Sequence, residues 1–345
     1  MSKIIHLGRN GSIMNSFVKF IDENFDNKKH FFYLTGKDIN GKSNVIDIRS
    51  KYDFIKSIIR LNFDLYKSEK IIIHGFNQSY LFYLFFFQPW LLKKLYWIMW
   101  GGDLYSYFNK VNSFKIKMLY FMRDSIFKKI AHFITYIKGD YELAQKLYGS
   151  SGEYHECFMY PSNLYKEYNI QPKEHSTINI QLGNSADPTN NHIDVLKKLT
   201  KYKDENINIF VPLSYGNEEY AKEVIAYGKQ LFHEKFIPLT EFMAFEKYLA
   251  FLSEIDIAIF AHKRQQAMGN TITLLGLGKK VYMRSDITPW QLFKDIDVNV
   301  FDVENIEIDL INQQIQKENQ EKIKEYFSEE KLKLQMEKLF NGEEK

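Results

Sequence analysis

Short apolar runs alternate with longer mixed segments along the first half of the chain. Five runs of four or five residues predict strands, and most of them end close to a Gly, Asn or Asp turn: 3–7, 30–34, 70–74, 96–100 and 132–135. Between the first two, Ser12–Asn24 places Ile13, Phe17 and Ile21 on one helical face. Strands that alternate with helices predict a parallel sheet covered on both faces.

The alternation stops around residues 161–176 and then restarts. The segment Ile170–His175 is polar and has no period, which predicts a boundary between domains. After it, strands are predicted at 177–182, 206–213, 236–239, 255–260, 280–283 and 298–301, with helices near 191–202, 217–231, 241–253, 270–277 and 288–294. We therefore predict an α/β chain of two βα domains in tandem, residues 1–165 and 176–310, followed by a helical tail over 311–345.

The composition excludes several classes of protein. A single cysteine, Cys157, cannot build a disulfide framework, and a chain that is 45% hydrophobic is too apolar to be disordered. The net charge of +3 hides two unlike halves: residues 1–170 hold 24 Lys and Arg against 15 Asp and Glu, a net charge of +9, and the remainder holds 22 against 28, a net charge of −6. A basic half favours an anionic partner, membrane phospholipid or nucleic acid, although a solvated surface gives the same pattern.

The segment Tyr80–Trp100 is aromatic but does not predict a membrane-spanning helix. Gln88-Pro89 and Lys93-Lys94 interrupt it before about 20 apolar residues accumulate, and no signal peptide is evident at the N-terminus. From residue 93 to 138, nine Lys and Arg stand against two Asp. Rings beside lysines predict contact with an anionic membrane surface, and the alternative is a buried helix with a basic face. The lysines carry no Arg-rich or RNP-like signature, so nucleic acid is not expected as a partner.

Polar and glycine residues follow the strands predicted in the second half. Ligands of open α/β sheets bind beyond the carboxyl ends of the strands, so these loops are candidates for a nucleotide site. An arginine before a helix N-terminus is suited to a diphosphate, because the guanidinium and the helix amides act together. Helix caps and a solvated basic turn are the alternatives. The predicted donor residues are Gly183, Asn184, Ser185, Asp187, Pro212, Tyr215, Gly216, Arg264, Gln265, Gln266, Gly269, Asn270 and Thr271.

A fourth loop follows the predicted strand 96–100 of the first domain. Gly101 and Gly102 allow the backbone to approach a ligand, and they present Asp103 beside aromatic rings that suit a sugar. Asp103 is therefore a candidate general base, with His74 as the second candidate, and an ordinary Gly-Gly-Asp turn is the alternative.

The spacing of the residues argues against the other ligand-binding motifs that the sequence partly matches. Gly8 and Gly11 are not followed by the third glycine of a dinucleotide loop, and the sequence has no Walker-type phosphate loop. The segment Asp295-Ile296-Asp297 matches the Asp-x-Asp of metal-dependent sugar transferases, but we interpret it as a turn because it stands late in the second domain.

Five stretches resemble the TDP-4-acetamido-4,6-dideoxy-D-galactose transferases, which extend the lipid-linked saccharide of enterobacterial common antigen. The similarity covers most of the chain and is strongest from about 180 to 295, whereas the loop LGRNG at 7–11 departs from the family's version. The stretches are WGGDLY at 100–105, LGNSADPTNNH at 182–192, VPLSYG at 211–216, FEKYLAFLSEIDIAIF at 245–260 and RQQAMGNTITLLGLGKKVYM at 264–283.

The resemblance implies a GT-B glycosyltransferase: two Rossmann-like domains facing across a cleft, with the TDP-sugar on the C-terminal domain. It also implies inverting transfer that needs no metal or other cofactor, to a polyprenyl-diphosphate-linked saccharide at the cytoplasmic face of a bacterial inner membrane. The expected acceptor residues are Gly8, Arg9, Asn10, Trp100, Gly101, Gly102 and Tyr105.

Two other functions stay open. One is a GT-B enzyme that uses a UDP- or GDP-sugar with a lipopolysaccharide or capsule acceptor. The other is a non-catalytic protein that binds the membrane surface, since a fold alone does not fix a function. Many GT-B enzymes hold the ribose of the donor through a Glu that follows the phosphate loop. Asn270–Leu277 contains no acid, which suits a deoxyribose donor.

Overall fold

The computed structural model describes residues 3–36, 45–48, 51–108, 113–167 and 175–342. The chain divides into two compact units, Met1–Asn163 with Glu329–Lys345 and Leu164–Ser328. Residues 168–174, which fall in the predicted polar boundary, lie outside the described residues. The predicted tail is split between the units, because Gln313–Tyr326 belongs to the second and Glu329–Asn341 to the first.

The first unit is built on a parallel sheet. Its described strands are β1 (Ile4–Arg9), β2 (His30–Thr35), β3 (Val45–Ile48), β4 (Lys70–His74), β5 (Leu95–Ile98), β6 (His132–Ile134) and β7 (Glu153–His155), in the order β3-β2-β1-β4-β5-β6-β7. Its helices are α1 (Ser12–Asn24), α2 (Lys51–Lys67), α3 (Ser79–Phe86), α4 (Gly102–Tyr105), α5 (Phe114–Phe127), α6 (Lys138–Tyr148) and α13 (Glu329–Asn341). The outer strands β3 and β7 were not predicted from the sequence.

The second unit repeats this plan. Its described strands are β8 (Ile178–Leu182), β9 (Ile207–Pro212), β10 (Phe236–Leu239), β11 (Ile257–Phe260), β12 (Lys280–Met283) and β13 (Phe301–Asp302), in the order β10-β9-β8-β11-β12-β13. Its helices are α7 (His192–Leu199), α8 (Glu218–Phe232), α9 (Phe245–Ser253), α10 (Met268–Gly276), α11 (Thr288–Asp295) and α12 (Gln313–Tyr326). The segment Asp295-Ile296-Asp297 forms the end of α11 and the turn after it, as predicted.

Helix α13 joins the first unit through a buried lysine. Lys70 starts β4, and its Nζ donates to the carbonyl oxygens of Leu339 at 2.6 Å and Phe340 at 2.9 Å. These carbonyls lie in the last turn of α13, where backbone acceptors lack partners within the helix. The Phe340 ring also packs edge-on against His30, with the ring centres 4.6 Å apart. The amphipathic pattern predicted the helix, and these contacts with Lys70 and His30 attach it to the first unit.

All the strand pairings of both sheets are parallel, so the strands of each sheet end along one edge. The loops after β1, β4 and β5 share the carboxyl edge of the first sheet, and the loops after β8, β9 and β11 share that of the second. Across the described ranges, no helix has both the length and the apolar character needed to cross a membrane.

Candidate active site

A glycine opens the loop after β8 in a conformation that other residues rarely adopt. Gly183 has a φ of +70°, and a Cβ at this position would lie 2.4 Å from His192 Nε2 and 2.8 Å from Asn190 Oδ1. Its N–H donates to the carbonyl of Ile259 in β11, at 3.0 Å. The loop therefore folds tightly over the strand ends only because this residue has no side chain.

The side chain of Asn190, which is fully buried, holds this loop and joins it to the loop after β11. Its Oδ1 accepts hydrogen bonds from the Asn184 N–H at 3.0 Å and from His262 Nε2 at 2.7 Å. Its Nδ2 donates to the Asp187 carbonyl at 3.0 Å. A single amide thus fixes residues from two strand ends, which pre-organises the surface they form.

The loop after β9 joins the same cluster through Asn184. The Asn184 side chain donates to the Tyr215 hydroxyl at 3.1 Å and accepts from Gln266 Nε2 at 3.2 Å. Gln266 also accepts a hydrogen bond from the Thr189 hydroxyl at 3.0 Å. The structure therefore brings together the three loops that the sequence predicts as the donor site.

Arg264 lies at the edge of this cluster, directly before α10. Its guanidinium is 3.6 Å from the Asp187 carboxylate and donates to the Gln265 carbonyl at 3.1 Å. Burial raises the pKa of Asp187, but hydrogen bonds from Thr189 and the Arg264 charge outweigh it, so this carboxyl titrates below its usual range. The ion pair is long, so Arg264 is available to a stronger anion.

The N-terminus of α10 adds positive potential at the same place. Ala267 precedes the helix in a left-handed conformation, and no side chain of the described residues caps this end. Helix geometry leaves the N–H groups of residues 268–270 without partners in the helix. Gln265 Oε1 is buried and makes no hydrogen bond within the described part of the chain. An unused acceptor, an arginine and free amides meet here, and the last two are suited to an anionic group.

Three predicted donor residues have visible structural roles. Pro212 is buried as the last residue of β9 and does not reach the loop surface. Gly216 allows two loops to touch, because a Cβ there would lie 2.7 Å from the Ala186 carbonyl carbon. Both the N–H and the hydroxyl of Thr271 donate to the Ala267 carbonyl, so the free amides end at Asn270.

In the first unit, Asp103 is held on all sides by its own domain. The residue is 2% exposed. One carboxylate oxygen accepts from the N–H groups of Trp100 and Leu104, and the other accepts from the Phe76 N–H and from Trp97 Nε1, at 2.7–3.0 Å. Burial raises the pKa of this carboxyl, and the four hydrogen bonds oppose the rise. Its assignment as general base stays a prediction, but this geometry favours a role in anchoring the loop.

His74, the second candidate base, belongs to a buried chain of hydrogen bonds. Trp100 Nε1 donates to the Tyr160 hydroxyl at 2.9 Å, and that hydroxyl lies 2.7 Å from His74 Nδ1. His74 Nε2 is 3.0 Å from His6 Nδ1, and His6 Nε2 is 2.9 Å from His30 Nδ1. The indole N–H can only donate, which leaves the Tyr160 hydroxyl proton free to point to His74; with that direction, all three histidines carry hydrogen on Nε2.

Burial keeps these histidines neutral. It lowers the pKa of His74 to about 3 and that of His30 to about 4, and it lowers the pKa of His6 well below its ordinary value. A base of such low pKa takes a proton weakly near pH 7. His74 is therefore better suited to positioning Tyr160 and Trp100 than to proton abstraction.

The predicted acceptor residues divide between surface and interior. Arg9 is exposed at the end of β1, and the half-buried Asn10 ties this loop to β2 by donating to the Thr35 and Gly36 carbonyls. The remaining residues are less accessible or shape the loop. Gly8 is buried within β1, Tyr105 packs on the core with its hydroxyl toward Asp140, Gly101 takes a φ of +72°, and Gly102 is exposed beside the half-buried Trp100.

The sequence did not point to several residues of this arrangement. These residues are Asn190, His262 and Tyr160. His262 contacts Asn190, which is 72 positions away in the chain, and Tyr160 contacts His74, which is 86 positions away. One local signal was present: His6 stands inside the apolar strand IIHLG, where a polar side chain must find a buried partner.

The fold matches that of known glycosyltransferases. HepE from Anabaena, in complex with UDP and glucose, has a TM-score of 0.68 at 11% identity, covering 99% of this chain and 100% of that one. WaaG, a glycosyltransferase involved in lipopolysaccharide biosynthesis, has a TM-score of 0.63 at 10% identity over 99% and 100% of the two chains. A glycosyltransferase from Rickettsia africae has a TM-score of 0.63 at 13% identity over 99% and 98%. The predicted α/β fold of the GT-B class is confirmed.

The sequence assigns the family within this class. Residues 2–338 match the family model described as 4-alpha-L-fucosyltransferase, glycosyl transferase group 56. The chain belongs to this family, and it is a glycosyltransferase, as the resemblance implied.

The anchoring role of Asp103 predicts the effect of Asp103→Asn. An amide nitrogen in place of one oxygen would face two N–H donors, so we expect the free energy of unfolding to fall by about 2–5 kcal/mol. Urea unfolding measures it, and Asp194→Asn on the exposed surface of α7 is the control, with a change under about 0.5 kcal/mol. An Asp103→Asn protein of normal stability that has lost transfer activity would instead identify the base.

The neutral histidine chain predicts acid sensitivity. Its pKa values lie below the unfolded value of about 6.5, so the unfolded protein binds more protons between pH 6.5 and 4. The free energy of unfolding should therefore fall as the pH is lowered through this window, by up to about 1.4 kcal/mol per pH unit for each histidine. Urea unfolding at several pH values should show a smaller slope for His30→Gln. The same change at the exposed His233 should leave the slope unaltered, and equal slopes for all three proteins would refute the explanation.

Proposed function

We propose that this glycosyltransferase moves a 4-acetamido-4,6-dideoxyhexose from a TDP-sugar to a polyprenyl-diphosphate-linked saccharide, with inversion and without a metal ion. The observation that carries the donor side is the meeting of Arg264 and the α10 N-terminus with the loops after β8 and β9. Positive charge and free N–H groups at one place are suited to a nucleoside diphosphate.

The same groups explain the chemistry. The acceptor hydroxyl attacks the anomeric carbon, the bond from that carbon to the diphosphate breaks, and TDP leaves with the negative charge. Arg264 and the amides of residues 268–270 stabilise this charge, which is the part that a metal ion plays in other transferases. The hydroxyl proton passes to a base. Asp103 could serve only by giving up one of its four hydrogen bonds.

Helix α10 contains no acid to chelate a ribose diol, which supports a deoxynucleotide donor. Tyr215 presents an exposed ring, 57% accessible, whose hydroxyl is held by Asn184. Such a ring can stack on a base or a sugar. The family description names a fucosyl group, and fucose and the 4-acetamido-4,6-dideoxyhexose are both 6-deoxyhexoses.

A UDP-sugar is the second candidate donor. The structure of HepE, which has the same fold, contains UDP and glucose. The amide and guanidinium contacts proposed here recognise a diphosphate and do not read the base, so both nucleotides satisfy them. The base and the 2′ position therefore decide between the candidates.

An exposed aromatic surface supports contact with the lipid-linked acceptor. Helices α3 and α5 pack together, and the Phe86 ring joins Phe87 to Phe121, with ring centres 5.5 and 6.0 Å apart. The surface consists of Phe87, Trp90, Phe114 and Phe121, all more than half exposed, with the exposed lysines Lys93, Lys115 and Lys117. Helix α5 is apolar on its outer side as well as on its buried side. Rings and lysines together favour an anionic bilayer interface.

The donor proposal predicts the nucleotide preference and the effect of Arg264→Ala. We expect calorimetry to show tighter binding of TDP than of UDP or GDP. The variant should bind TDP about 10- to 100-fold more weakly, because a charged hydrogen bond contributes about 1.5–3 kcal/mol. The matched control is Arg284→Ala, whose guanidinium is already paired with Asp286. Tighter binding of UDP would favour the second candidate, and equal affinities of the two arginine variants would exclude the proposed diphosphate site.

The aromatic surface predicts membrane binding. In flotation with phosphatidylglycerol-containing vesicles, we expect the protein to float and the double variant Trp90→Ala, Phe121→Ala to lose most of the bound fraction. Phe242→Ala, which removes a still more exposed ring from the second unit, should bind as the unaltered protein does. Failure of the unaltered protein to float on anionic vesicles would rule out the membrane contact.

A further inference from the structure

Two histidines and a glutamate meet on the last two strands of the first sheet. The register pairs His132 of β6 with Glu153 of β7, and Ile134 with His155. Side chains alternate along a strand, so Glu153 and His155 project on the same face of β7, and His132 lies beside Glu153 on that face. The pairing of two short strands thus brings three side chains with metal-ligand chemistry together.

The distances between their donor atoms suit a tetrahedral ion. His132 Nδ1 lies 3.0 Å from His155 Nε2 and 3.3 Å from Glu153 Oε2, and the last two atoms are 3.7 Å apart. Ligands that bind zinc tetrahedrally at about 2.0–2.1 Å stand about 3.3 Å from one another. The three separations are close to this value, and an ion between the atoms needs only small side-chain movements.

We propose that His132, Glu153 and His155 bind a zinc ion whose fourth ligand is water. Two imidazoles and one carboxylate are ligands that zinc accepts, with an open position when the protein supplies three. The two histidines are partly exposed and Glu153 is largely exposed, so both an ion and a water molecule have access.

The surroundings orient the first of these ligands. The Tyr96 ring stacks on His132 with centres 4.0 Å apart and an interplanar angle of 7°, which fixes the imidazole plane. A cation that acts on His132 is Lys70, whose ammonium donates to the carbonyls at the end of α13. Its charge is partly compensated there, so it opposes a bound cation less than a free ammonium would.

The cluster lies on the outermost pair of strands of the first sheet. His132 and Glu153 are the first residues of β6 and β7, and His155 is the last residue of β7, so the three ligands span the length of this short pair. An ion that binds only the folded protein stabilises it by mass action. It would fasten β7, which forms the edge of the sheet, to β6.

Zinc titration of the chelator-treated, dialysed protein tests the proposal. We expect calorimetry to show one zinc ion per chain at micromolar concentration and the melting temperature to rise with zinc. His155→Ala and Glu153→Gln should weaken zinc binding at least tenfold, whereas His233→Ala, a change at an exposed histidine of the second unit, should not. The cobalt(II) form should show the visible absorption of a tetrahedral site.

Two results would overturn the proposal. One is an unaltered protein that binds no zinc and gains no thermal stability from it. The other is zinc binding by His155→Ala and Glu153→Gln that equals that of the unaltered protein. Because Glu153 is largely exposed, Glu153→Gln should fold normally without metal, which urea unfolding verifies, so a misfolded variant does not blur the result.

Discussion

A parallel sheet places the carboxyl ends of all its strands along one edge, and both units of this chain are organised by that constraint. Residues that are far apart in sequence become neighbours that can hydrogen-bond to one another, as Asn184, Tyr215 and Gln266 do in the second unit. The strands bring the loops to the same edge, and hydrogen bonds between the loops fix the side chains relative to one another. Asn190 contributes most to this, because its one amide fixes the loops after β8 and β11.

The two edges handle buried polarity differently. In the first unit, three histidines are kept neutral by burial and the Asp103 carboxylate is enclosed by four N–H donors, while Arg9 is exposed at the end of β1. In the second unit, positive potential is left available at Arg264 and at the uncapped start of α10. A fixed network of hydrogen bonds resists rearrangement, whereas positive charge without a strong partner attracts an anion. The available positive charge supports the proposal that the second unit binds an anionic donor.

The sequence predicted most strands and the loops that follow them, because apolar runs that end in glycine and polar residues are local signals. It did not show what those loop residues contact. In the sequence, Asp103 is a carboxylate that follows two glycines, which predicts a reactive group. Only the structure shows that the carboxylate accepts hydrogen bonds from the Phe76 N–H and from Trp97 Nε1. The outer strand β7, with the sequence EYH, contains no apolar run, and β3, VIDI, is interrupted by an aspartate. The unit to which α13 belongs depends on Lys70, whose partners lie 269 and 270 positions away.

The first unit therefore presents three chemically distinct regions on one sheet. The carboxyl edge carries the tightly bonded loops, the outer side of α3 and α5 carries rings and lysines, and the β6–β7 margin carries imidazole and carboxylate groups. Each region uses a different feature of the fold: strand polarity, a helix that is apolar on both sides, and strand register. Because strand register places imidazole and carboxylate groups side by side on neighbouring strands, a metal ion at this margin would act on the stability of the first unit by joining β7 to β6.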